Sequence, residues 1–105
     1  VPAQVDYINA HGTGTHHNDL FETRAIKKAF GEHAKDIHIN STKSMVGHLL
    51  GAAGALEFVT CVKELEQGYI HKTVGYTTPD EETRKILLTH SAIPSDLAVI
   101  TPVFC

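Results

Sequence analysis

Ser41-Thr42-Lys43-Ser44-Met45-Val46-Gly47-His48-Leu49-Leu50-Gly51-Ala52-Ala53-Gly54-Ala55-Leu56-Glu57 is the stretch from which the rest of the chain is read. A short alternating run, Ile37-His38-Ile39-Asn40-Ser41, leads into it and predicts a strand. The loop from Lys43 to Gly51 then opens a helix expected over about Gly51 to Gln67, with Leu56, Val59, Val62 and Leu65 facing inward and Gly68 ending it. Gly51-Ala52-Ala53-Gly54-Ala55 is a poor way to make a helix, because each glycine loses about 1 kcal/mol relative to alanine. Such small residues imply that another helix or a ligand comes close to that surface.

The same grammar appears upstream. Val5-Asp6-Tyr7-Ile8-Asn9 predicts a strand that delivers His11 into the glycine turn His11-Gly12-Thr13-Gly14-Thr15. Asp19-Leu20-Phe21-Glu22 has the form of a capping box, and Phe21, Ala25, Ile26, Ala29 and Phe30 recur at helical spacing. A helix over about Asp19 to Phe30 follows. Beyond Gly68 the signal thins. Tyr69 to Thr78 is expected to be extended, Pro79 to Glu82 a turn or the first turn of a helix, and 86–89 and 97–101 two further strands linked through Ser91 to Asp96. The βαβα order followed by strands implies an α/β fold, a mixed sheet with packed helices.

Two histidines on glycine-rich turns, each after a strand, are candidates for a prepared site. His48 stands before a helix, where backbone N–H groups and the positive dipole end disfavour its protonation. Neutral His11 and His48 aimed at one point would donate hydrogen bonds to an oxyanion or enolate. The plainer alternative is a pair of solvated imidazoles. Lys43 and Glu57 are either a buried ion pair that orders the loop or two surface charges, and spacing does not separate these readings. No CxxC or HExxH accompanies the eight histidines, so no metal site is expected from His11, His16 and His17 or from His33 and His38. Neither GxxxxGK[ST] nor GxGxxG occurs.

Composition bounds the possibilities. The 105 residues are 42% hydrophobic with a net charge of -3, enough for one modest core. Charges of both signs are interspersed, which argues against nucleic acid or an anionic membrane as partner. There is no apolar run of about eighteen residues and no charged-then-apolar start, so neither a membrane span nor a signal peptide is expected. Cys61 and Cys105 lie far apart, which disfavours a disulfide framework and suggests a reducing compartment. Val1-Pro2 at one end and Pro102-Val103-Phe104-Cys105 at the other read as cuts in something longer.

Taken together, Val5 to Thr15, Asn18-Asp19, Glu22, Ser41 to Ser44, Gly47-His48, Gly51 to Ala55 and Glu57 resemble the carboxyl-terminal half of β-ketoacyl-acyl-carrier-protein synthases, over about residues 3 to 80. The resemblance implies a thiolase-like α-β-α-β-α sandwich, with residues 1–105 forming most of its second half, truncated at both ends. It implies decarboxylative Claisen condensation of a malonyl thioester with an acyl-enzyme, in fatty-acid or polyketide synthesis. His11 and His48 match the two histidines that stabilise the enolate, Lys43 the lysine that orders the second of them, and Glu57 the supporting acid. Thr13 and Thr15 match hydroxyls placed against the phosphopantetheine arm.

No resident cofactor is implied, since the phosphopantetheine arrives on the acyl carrier protein. The implied partners are that carrier, malonyl and acyl thioesters, and an amino-terminal half or sister subunit, within a homodimeric full enzyme. A bacterial cytoplasm is the first setting, with plastid and mitochondrion as the others. The chain departs from the family pattern in three places. Neither Cys61 nor Cys105 has the flanks of the family nucleophile, so the isolated chain is expected to be inactive. The glycine-rich motif expected near Phe104 does not follow, and Tyr69 to Thr78 lacks the usual proline-rich composition. The alternative reading is a non-catalytic partner of the chain-length-factor type, or a remnant that binds a carrier protein or sister subunit.

Overall fold

A computed structural model describes residues 1–75 and the strand Ser91–Ala92. Strands β1 (Tyr7–Asn9) and β2 (His38–Asn40) pair in parallel, with Tyr7 opposite His38 and Asn9 opposite Asn40. Parallel neighbours need a crossover, here α1 (His16–Phe30) and the 3-10 turn Gly31–Lys35. The short helix α2 (Lys43–Val46) and the 3-10 turn Leu50–Ala52 lead from β2 into α3 (Ala53–Gln67).

Alternation along β1 divides the core in two. Ile8 and Ala10 cluster with Ile26 of α1 and with Ala34, Ile37 and Ile39, against which Val5 and Phe30 pack. On the other face Tyr7 meets Cys61 of α3 and Ile70 of β3 (Tyr69–Ile70). The order helix, parallel pair, helix is the layered α/β arrangement the element order implied. A separate antiparallel pair joins β3 to β4 (Ser91–Ala92), so both strand directions occur. Ser91–Ala92 is therefore strand where a link was expected. The turn or helical first turn expected at 79–82 and the strands at 86–89 and 97–101 lie outside the described residues.

Two helices differ from the sequence expectation. Helix α1 starts at His16 rather than Asp19, because Thr15 caps it, accepting from the Asn18 N–H at 3.4 Å. Its end is as expected: Gly31 (φ +56) closes it with an N–H to the Lys27 carbonyl. Helix α3 starts at Ala53, and Gly68, left-handed at φ 65, ends it as predicted. Its inward face, however, is Ala53, Glu57, Cys61 and Glu64. Val59, Val62 and Leu65 are exposed, and Leu56 is only half-buried. The two glutamates turn inward because each has a buried partner, and the apolar stripe therefore turns outward. At Gly51 an added Cβ meets nothing within 4 Å, so the close neighbour expected there is not among the described residues.

Burial, and then the Glu64 carboxylate, push the Cys61 thiol up from 9.0 to about 11. The unfolded chain releases this proton near pH 9 and the folded chain near 11, so the associated stability is complete below pH 9 and declines above it. Urea unfolding is expected to show a loss of about 1.4 kcal/mol between about pH 8 and about pH 10, absent in Cys61→Ala. Above pH 10 Tyr7, whose hydroxyl is raised chiefly by burial, adds a second decline of the same sign.

Candidate functional site

His11 leaves the carboxyl end of β1, where the Ala10 N–H donates to the Asn40 carbonyl at 2.7 Å and extends the pairing. The turn after it is held by Glu22 of α1. One carboxylate oxygen accepts from the His11 N–H at 2.7 Å, the other from the Gly12 N–H at 2.9 Å. Asn18 Nδ2 also donates to Glu22, and the Gly14 N–H donates to Asp19 at 3.3 Å. The acidic pair that resembles a capping box thus secures the histidine turn instead. Glu22→Gln would place an amide N–H against a backbone N–H. We expect it to cost about 1–3 kcal/mol in thermal unfolding and to speed amide exchange at His11 and Gly12.

The two loops are stitched to each other. Ser41 Oγ donates to the Gly12 carbonyl at 3.0 Å, and a Cβ on Gly12 (φ +46) would lie 2.5 Å from the Ser41 side chain. That contact admits only glycine at position 12. One layer below, Asn9 Nδ2 donates to Thr42 Oγ1 at 2.7 Å, and the Tyr7 hydroxyl donates to Asn40 Oδ1 at 2.6 Å.

Lys43 opens α2 and reaches Glu57 of α3 in an ion pair whose side chains are 5% and 6% exposed. Of the two readings, the buried pair is the one the structure shows. The Gly47 N–H returns to the Lys43 carbonyl at 2.9 Å, and Gly47 turns at φ +77, so the loop carrying His48 hangs from the anchored lysine. His48 Nδ1 accepts from the Leu50 N–H at 3.1 Å. Its ring proton therefore sits on Nε2. Leu50 itself holds a left-handed φ of 51, a strained setting for a leucine.

The fold brings His11 and His48 together, ring centroids 5.4 Å apart and planes at 88°. Thr13 and Thr15 meet at 3.1 Å through their hydroxyls, and Thr15 also caps α1. His16 and His17 stand 5.7 Å apart at the start of α1, and no group of three potential metal ligands occurs among the described residues. Glu22 and Ser41 are the positioning residues that site reasoning missed. An acid on the first helix that follows a histidine turn was the available signal.

A layered α/β fold with two histidine loops clamped side by side defines the class. The chain belongs to the β-ketoacyl synthases, residues 1–77 matching the family description "Beta-ketoacyl synthase, C-terminal domain". It is 48% identical over 96 residues to the putative polyketide beta-ketoacyl synthase 1 of Streptomyces cyaneus, covering 91% of this chain and 23% of that protein. Nodulation protein E of Rhizobium leguminosarum bv. trifolii is 53% identical over 81 residues, covering 77% and 20%. The 3-oxoacyl-[acyl-carrier-protein] synthase 2 of Coxiella burnetii is 54% identical over 80 residues, covering 76% and 19%. Among solved structures, a type II PKS ketosynthase in complex with its acyl-carrier protein and bound to the hexaketide superposes with a TM-score of 0.84. It is 44% identical, with 90% of this chain and 24% of that one covered. The chain spans only 19% to 23% of the length of these three relatives. No helix among the described residues is long and apolar enough to cross a membrane.

Proposed function

We propose that this chain supplies the two-histidine half of a β-ketoacyl-acyl-carrier-protein synthase active site, and that an amino-terminal half supplies the nucleophilic cysteine. The observation that carries the reading is the pair of imidazoles 5.4 Å apart, one with its Nδ1 already occupied by a backbone N–H. In this reading an acyl group rests on the cysteine, and a malonyl thioester arrives on the phosphopantetheine of a carrier protein, its arm lying along Thr13 and Thr15. The bond to the carboxylate breaks and carbon dioxide leaves. The electron pair moves onto the thioester oxygen, where the Nε2–H of His48 and a donor on His11 stabilise the enolate. The enolate carbon then attacks the acyl thioester, and the cysteine leaves as thiolate.

Lys43 and Glu57 act through the loop, holding His48 in place without touching the reacting atoms. Cys61 is not the nucleophile in this reading: it is buried at 3% exposure, and its thiol is raised rather than lowered. The chain alone is then inactive. The test is carbon dioxide release from a malonyl thioester by the chain alone, and by the chain mixed with a cysteine-bearing amino-terminal half. Release that requires both halves supports the reading. A folded complex of the two that releases none would overturn it in favour of a non-catalytic partner of the chain-length-factor type.

A further inference from the structure

Behind the Lys43 loop lies a polar strut that neither the ion pair nor the histidine pair uses. Thr42 precedes Lys43 and starts α2, its carbonyl accepting from the N–H groups of Met45 and Val46 at 3.0 and 3.3 Å. Its hydroxyl makes no cap bond to that helix. It accepts from Asn9 Nδ2 at 2.7 Å and lies 3.2 Å from His71 Nε2, while His71 Nδ1 lies 2.8 Å from the Lys72 carbonyl. A carbonyl only accepts, so Nδ1 carries a ring proton, and in the neutral ring Nε2 then holds a lone pair. Thr42, its one proton free, donates to that lone pair. Every donor in the series Asn9, Thr42, His71, Lys72 carbonyl then has one acceptor.

Glu64 fixes the other side of the histidine. Its Oε1 accepts from the His71 N–H at 3.0 Å and from Asn40 Nδ2 at 3.2 Å, and the side chain is almost fully buried. Around this pair residues 71–74 are laced to residues 40–44. Asn40 Nδ2 donates to the His71 carbonyl at 2.8 Å, the Ser41 N–H to Thr73 Oγ1 at 3.2 Å, and the Val74 N–H to Ser44 Oγ at 2.9 Å. This is the segment whose composition departs from the proline-rich one expected. A proline at 71 would have neither the N–H that Glu64 accepts nor a ring nitrogen for Thr42.

We propose that His71 is a positioning residue for the Lys43–His48 loop, gripping Thr42 through its ring, with Glu64 holding the backbone that presents it. Its kinetic consequence rests on the condensing reaction proposed above; its structural consequence does not. The test compares His71→Leu, which removes the acceptor, with His71→Gln, whose amide oxygen reaches the position of Nε2. In the 105-residue chain, His71→Leu is expected to speed amide exchange at Val46 and Gly47 by about tenfold or more, with α1 unchanged and His71→Gln within about twofold of the parent. In the reconstituted synthase the same change is expected to lower kcat by about tenfold and leave KM within about twofold. Exchange at Val46 and Gly47 that is the same in all three chains overturns the proposal, as does an equal rise throughout α1. A reconstituted synthase with no activity in any variant counts against the condensing reaction, and the exchange result still decides the role of His71.

Discussion

Lys43→Met is expected to lower the stability of the chain by about 3–5 kcal/mol, because it leaves the Glu57 carboxylate buried without its counter-charge. Both side chains of the pair are at most 6% exposed, so water is not there to replace the lysine. Set against a domain stability of about 5–15 kcal/mol, that is a large share of the total. The double variant Lys43→Met/Glu57→Leu removes both charges, and we expect it to unfold in urea within about 1 kcal/mol of the parent. The contrast between single and double variants identifies the cause. A single-variant cost below about 1 kcal/mol, the scale of a solvated pair, would show that the two charges are hydrated.

His48→Ala is expected to slow malonyl decarboxylation in the reconstituted synthase by about 10²-fold or more, the scale of losing one donor to a developing oxyanion. The loss should fall on kcat and not on KM, because charge appears on the thioester oxygen only as the carboxylate departs. His48 is exposed, and its one polar contact among the described residues is the Leu50 N–H, so the substitution should leave the urea midpoint almost unchanged. Activity would then separate from stability, the reverse of what Lys43 should show. An unchanged decarboxylation rate would remove His48 from the chemistry.

The sequence carried much of this arrangement, for identifiable reasons. The strand at Tyr7–Asn9 and the end of α3 at Gly68 followed from local rules, alternation and a left-handed cap, which act over a few residues and need no knowledge of the rest. The start of α1 was misplaced because Asp19 and Glu22 satisfy a capping pattern, yet spend their oxygens on Gly14, His11 and Gly12. A pattern in sequence records which acceptors exist and not which donors claim them. The inward face of α3 failed for a different reason. Periodicity identifies Val59, Val62 and Leu65 as one stripe, but the side to which a stripe turns depends on where its apolar partners lie. Glu57 and Glu64, bound to Lys43 and to Asn40 and His71, hold the opposite face against the sheet. Lys43 with Glu57 was open between two readings until burial chose one. His71 carries no local signal, since its partner Thr42 is 29 residues away.

The hydrogen bond between Gly12 and Ser41, and an approach too close for any side chain, fix the starts of the two histidine loops to each other in the folded chain. Dipoles that keep their orientation before and after charge develops contribute little reorganisation energy to a reaction step. In the proposed reaction, the entropy of ordering this contact would be lost once per molecule folded and not again at each catalytic cycle.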